Sequence, residues 1–220
     1  MEPTGAAENL QVIRTLMERS ALYRRAMAPV MLAAGLFGVA GWGLAECFDL
    51  TNRRAFTAFW FAVAAVTIPT ALVIVRRQAL RSDEQFWTPP TKRIVRAMLP
   101  PLSAGVMFEI CIAFARGDQR AGSYSEPLLW LLLYGVALHS AGMFISRGVR
   151  WLGWLFIFAS VLLCYAALYL PEQASGNPPP PIWLQPNAQM GLTFGLLHLI
   201  AAAYLFLTER RGQTTPSSAA

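Results

Sequence analysis

From Ala55 to Val75 the chain reads AFTAFWFAVAAVTIPTALVIV without a single charge, with Arg54 directly before the run and Arg76 and Arg77 directly after it. An apolar run of about 20 residues is what a helix needs to cross a hydrocarbon core about 30 Å thick. Five other blocks of similar length follow the same pattern, which places spans at about 26–46, 55–75, 97–115, 127–146, 151–170 and 188–207. Backbone amides in lipid find no water, so such blocks must be helices or the strands of a closed barrel. Barrel strands alternate apolar and polar residues over about ten positions, and none of these blocks does. The expected fold is therefore an all-α integral membrane protein, a bundle of six transmembrane helices.

Composition excludes the soluble alternative. Only 14% of the residues are charged and 55% are hydrophobic, whereas a soluble domain needs about 25% charge to cover its surface. The first 25 residues carry Glu2, Glu8, Arg14, Glu18, Arg19, Arg24 and Arg25, which leaves no early apolar core for a cleavable signal.

The basic residues give an orientation. Of the 18 Lys and Arg, fourteen fall before span 1, between spans 2 and 3, between spans 4 and 5, and after span 6. The other four are Arg53, Arg54, Arg116 and Arg120. Cationic flanks stay in the cytoplasm, so both termini are expected inside, as an even number of spans requires. The expected location is the cell membrane, multi-pass, of the bacterial inner-membrane type. The net charge of +6 then reflects topology and anionic lipid headgroups, and nucleic acid is not an expected partner.

Outside the spans, residues 8–23 place Leu10, Ile13, Leu16, Met17 and Leu22 near one face, as in an interfacial amphipathic helix. Residues 1–25 thus form a cytoplasmic N-terminal segment ahead of a membrane domain at 26–208. Thr88 before Pro89 and Pro90 reads as the start of a helix running into span 3, and Pro100 and Pro101 should kink it. Pro178 to Pro181 favour an extended stretch, after which Ile182, Trp183 and Leu184 suit the outer interface. Residues 209–220 read as a disordered cytoplasmic tail.

No Walker loop, dinucleotide-binding glycine pattern, HExxH, GxSxG or CxxC occurs, which points away from an enzyme. Cys47, Cys111 and Cys164 stand far apart and read as small buried hydrophobes, although a disulfide is conceivable. The remaining candidates are ionisable residues inside the spans: Glu109, His139 and His198. Such groups are costly in lipid and normally face the bundle interior. Gly135, His139, Gly142 and Ser146 share one face of span 4. Gly191, Gly195, His198 and Ala202 share one face of span 6. Small residues on a stripe let backbones approach closely.

At about 1.5 Å per residue, His139 and His198 lie about 18 and 15 Å from the outer ends of their spans, and Glu109 about 9 Å from its own. Two imidazoles at one level could ligate a haem b, with the glycines admitting the porphyrin. The plainer reading is two histidines bonding between helices, with no cofactor and no metal. A mixed site of Glu109 with histidine is the metal alternative. Glu109 itself is either a protonatable group on a transport path or a structural hydrogen-bonding residue, with Gly105 leaving space beside it.

Three functions stay open. The first is a non-catalytic accessory, regulatory or assembly component, because so few polar residues line the spans. The second is a b-type haem electron-transfer protein using His139 and His198. The third is a small proton-coupled transporter with Glu109 on its pathway. The stripe Ala34, Gly38, Gly41 and Ala45 in span 1 marks close helix contact, within the bundle, with a partner protein or in a homo-oligomer.

Overall fold

The computed structural model describes residues 27–48, 50, 53–81, 87–116, 125–169 and 181–213. The expected amphipathic helix at 8–23, the loop opening at Ser82, the prolines 178–180 and the tail beyond Gln213 lie outside them. Among the described residues the secondary structure is helical throughout. The long helices are α1 (Met27–Cys47), α2 (Arg53–Arg81), α3 (Pro89–Arg116), α4 (Ser125–Gly142) and α5 (Arg147–Tyr169). A short 3-10 turn, Ile182–Leu184, precedes the last helix. That helix runs as α6 (Pro186–Met190), a π-helical segment (Gly191–Leu197) and α7 (His198–Gln213).

Five of these helices are long and apolar enough to cross a membrane: α1, α2, α3, α5 and the last one. The 29 residues of α2 extend about 43 Å, longer than a hydrocarbon core, which is why Arg76, Arg77 and Arg81 remain helical past the apolar run. At its other end, α3 begins at Pro89 as the sequence indicates, with Lys92 N donating to the Thr88 carbonyl at 3.1 Å. Pro100 and Pro101 both lie inside that helix.

Two ends differ from expectation. Helix α4 stops at Gly142, and Met143 and Phe144 turn back through bonds to the Ser140 and Ala141 carbonyls at 3.4 and 2.9 Å. Ser146 therefore falls outside the Gly135–Gly142 stripe. It starts α5 instead, its hydroxyl accepting from Val149 N at 3.4 Å, because a serine satisfies the orphan amides of a first turn. At the other end of the chain, α7 continues to Gln213, so residues 209–213, counted with the tail in the sequence reading, are helical.

Helices α4 and α5 form an antiparallel hairpin that packs backbone to backbone. A methyl built on Gly153 would stand 2.5 Å from His139 N, and one on Gly142 would stand 2.6 Å from Arg150 N. Across the same seam the Ser160 hydroxyl donates to the Leu128 carbonyl at 2.8 Å. The last helix docks on α1 in the same way: a methyl built on Gly38 would stand 2.6 Å from Gly195 N, and one on Gly191 would run into the Trp42 side chain. The main core lies between these pairs: Met31, Leu131, Leu138, Val149, Leu152, Phe156 and Ala202. A second cluster joins Phe56 and Trp60 of α2 to Met190.

The α1 stripe thus serves contacts inside the protein. Gly38 meets the last helix, and a methyl built on Gly41 would stand 3.3 Å from Trp60 and Val63 of α2. Cys47, Cys111 and Cys164 are free and exposed, which corrects both the buried and the disulfide expectations. Their helices are so apolar all round that a cysteine has no need to point inward to be among apolar neighbours.

Candidate functional site

Among the described residues the interior polar groups gather in three places. The first is a charged cluster built by the start of α2, the late part of α3 and the start of α4. Arg53 Nε makes an ion pair with Glu126 Oε1, and Arg53, Glu126 and Glu109 are 6%, 4% and 3% exposed. Glu109 lies within electrostatic reach of Arg53 and near the Thr57 hydroxyl, one helical turn from Arg53 along α2. Glu126 in turn feels Glu109. A carboxylate in the first turn of α4 also sits well against the positive end of that helix.

This is where the inward orientation of Glu109 is realised, but its surroundings differ from those expected. The space beside Gly105 is filled: a methyl there would stand 3.0 Å from the Trp130 ring, and Trp130 packs edge-on against Phe61 at 5.6 Å. Neither Glu126 nor Arg53 stands out along the chain: the former reads as a residue just ahead of span 4 and the latter as a loop cation. The available signal was Arg53 lying one helical turn from Thr57 on the face that also carries Phe56 and Trp60.

The second place surrounds His198, which is 1% exposed. Its Nε2 lies 2.8 Å from the Tyr134 hydroxyl, in a hydrogen bond whose direction depends on the tautomer. Phe156 stands edge-on to the ring at 5.4 Å, and Phe194 lies nearly parallel to it at 6.4 Å. The π-helical segment ends directly before His198. The wider turn changes the phase of the residues that follow, so His198 does not continue the Gly191–Gly195 face: the glycines meet α1 and the imidazole meets Tyr134.

His139 sits elsewhere. Its ring stands edge-on to Trp154 at 5.1 Å, and its Nδ1 has no hydrogen-bond partner. Trp154 and Phe156 are two residues apart on α5, a difference of about 3 Å in height and about 200° around the helix. The two imidazoles therefore pack against different sides of α5. His198 Nε2 is engaged by Tyr134, and the notches at Gly135, Gly142, Gly191 and Gly195 are occupied by neighbouring helices. These residues do not fit a haem held between His139 and His198. Glu109 is likewise grouped with Arg53, Thr57 and Glu126 and not with a histidine. Among the described residues no three His, Cys, Asp or Glu side chains converge as metal ligands.

A third set of polar contacts ties the start of the last helix to α2 and to the end of α1. Trp60 Nε1 donates to Asn187 Oδ1 at 3.1 Å, and Asn187 Nδ2 donates to the Leu50 carbonyl at 3.4 Å. Gln189 is 1% exposed and donates to the Leu184 carbonyl at 3.0 Å. Leu184 is buried while Ile182 and Trp183 are exposed, so of the three only Leu184 packs inward.

Comparison with protein-family models, with curated proteins and with solved structures gives no match.

Proposed function

We propose that this chain is a six-span membrane component with both termini in the cytoplasm, acting as a non-catalytic accessory, regulatory or assembly protein. The observation that carries this reading is that the small-residue faces, the features most able to open a route or a cofactor slot, are used to lock helices together. Gly135, Gly142 and Gly153 join α4 to α5, and Gly35, Gly38, Gly191 and Gly195 join α1 to the last helix. In this reading α4, 18 residues long and without Asp, Glu, Lys or Arg beyond Glu126, is the sixth span. The exposed faces of α2 and α3, with Ile68, Leu72, Val73, Leu99 and Met107, are then what lipid or a partner protein covers.

The test is purification in native lipid discs without detergent extraction, followed by measurement of subunit stoichiometry. A fixed ratio to one partner protein, retained when the discs are diluted, is the expected result. A monodisperse lone chain would count against the reading, as would proton flux into liposomes that disappears in Glu109→Gln. The latter would favour the second reading, a small proton-coupled transporter, which the burial of Glu109 beside Arg53 and Glu126 supports.

A further inference from the structure

Among the described residues the charged cluster holds one cation and two carboxyl groups. Arg53 is the cation, and a guanidinium does not give up its charge inside a protein. Against it stand two carboxyl groups, Glu109 and Glu126, and all three side chains are more than nine-tenths buried. One guanidinium neutralises one carboxylate. A second ionised carboxylate so little exposed would be an uncompensated buried charge, which costs far more than taking up a proton.

The partners of the cluster can be named from each helix. Arg53 and Thr57 come from α2, Glu109 from α3 and Glu126 from α4. Arg54, the next cation along α2, is exposed. Glu126 Oε1 contacts Arg53 as an ion pair, yet it is wholly buried and accepts no hydrogen bond of proper geometry. A carboxylate oxygen so deeply buried is stabilised by a further donor, and a protonated carboxyl is the kind of group that supplies one. The reverse arrangement, with Glu109 on the guanidinium and the proton on Glu126, balances equally well.

We infer that Glu109 and Glu126 share a single proton and compete for Arg53, so that the three residues form a buried proton-binding site. Transfer breaks the O–H bond of one carboxyl and forms an O–H bond on the other, while the guanidinium moves to whichever carboxylate is left ionised. No electron is exchanged. The site holds for a transporter and for a non-catalytic component alike, and so goes beyond both functional readings.

Infrared spectroscopy of the full-length protein in lipid discs at neutral pH tests it. Wild type is expected to show the carbonyl stretch of a protonated carboxyl, shifted in D2O. Sharing makes an unusual demand: the band is lost in Glu109→Gln and equally in Glu126→Gln, because the remaining carboxylate takes Arg53 for itself. In Arg53→Gln both carboxyls must be neutral, and the band roughly doubles. A wild-type spectrum without the band overturns the inference, and so does a band that survives in either single variant, since one residue would then own the proton. Should Arg53→Gln fail to fold, thermal unfolding gives the second measurement. Each single variant is expected to melt close to wild type. The double variant Glu109→Gln/Glu126→Gln, which strands Arg53, should lose more than the sum of the two singles, and simple additivity would overturn the proposal.

Discussion

Gly153 of α5 lies so close to His139 of α4 that a methyl group on the glycine would stand 2.5 Å from the His139 backbone nitrogen and 2.8 Å from the Gly135 carbonyl oxygen. The neighbours are backbone atoms of a helix, so no side chain can turn away to make room. In lipid, where apolar burial contributes little to helix association, this kind of close packing is a main source of stability.

Gly153→Ala is therefore expected to push α4 and α5 apart and destabilise the protein by about 1–3 kcal/mol. Thermal unfolding in a mild detergent would read this as a lowered midpoint. Gly43 provides the control, because nothing lies within 4 Å of the position its methyl would take. Gly43→Ala should match or slightly exceed wild type.

Tyr134→Phe removes one partner of a buried hydrogen bond and leaves His198 Nε2 without the other. The expected cost is about 1–3 kcal/mol, the penalty for an unsatisfied buried polar group. Pairing it with His198→Leu removes both polar ends, and the double variant is expected to lose less than the sum of the two singles. A double-variant cycle with no coupling would show that the 2.8 Å contact contributes nothing.

Reporter fusions test the arrangement in the membrane. Fusions after residues 85, 148 and 212 should report from the cytoplasm, and those after 120 and 176 from outside, as the distribution of Lys and Arg demands. A cytoplasmic signal at residue 176 would remove the six-span arrangement.

The haem reading makes an equally plain demand. With the glycine notches filled by helix and His198 bonded to Tyr134, protein purified from haem-replete cells is expected to lack a Soret band. A band that vanishes in both His139→Ala and His198→Ala would reinstate electron transfer.

Some of this was written in the chain one residue after another. The charge-free run from Ala55 to Val75 cannot lie in water at its full length, and in lipid it must satisfy its own amides, so helicity follows from local composition alone. The same cost argument turned Glu109 and His198 inward before any neighbour was known, and both are almost wholly buried. The glycine stripes of α1 and the last helix likewise announced close packing.

Which helix would fill each stripe was not written there. Gly38 could have met any small face, and only the assembled bundle gives it Gly195. A uniform helical phase in the last span would have kept His198 beside the glycines, and the π turn at Gly191–Leu197 set it on a different side. Arg53 and Glu126 lie in different loops of the sequence reading, and neither stands in an apolar run long enough to mark it as costly. Their pairing is a long-range choice: it depends on α2, α3 and α4 ending at the same place, where one guanidinium comes within reach of two carboxyls. Lipid constrains each segment by itself, and sequence records that constraint directly. The identity of a buried charge's partner depends on how separate segments meet, and that was decided only by the tertiary structure.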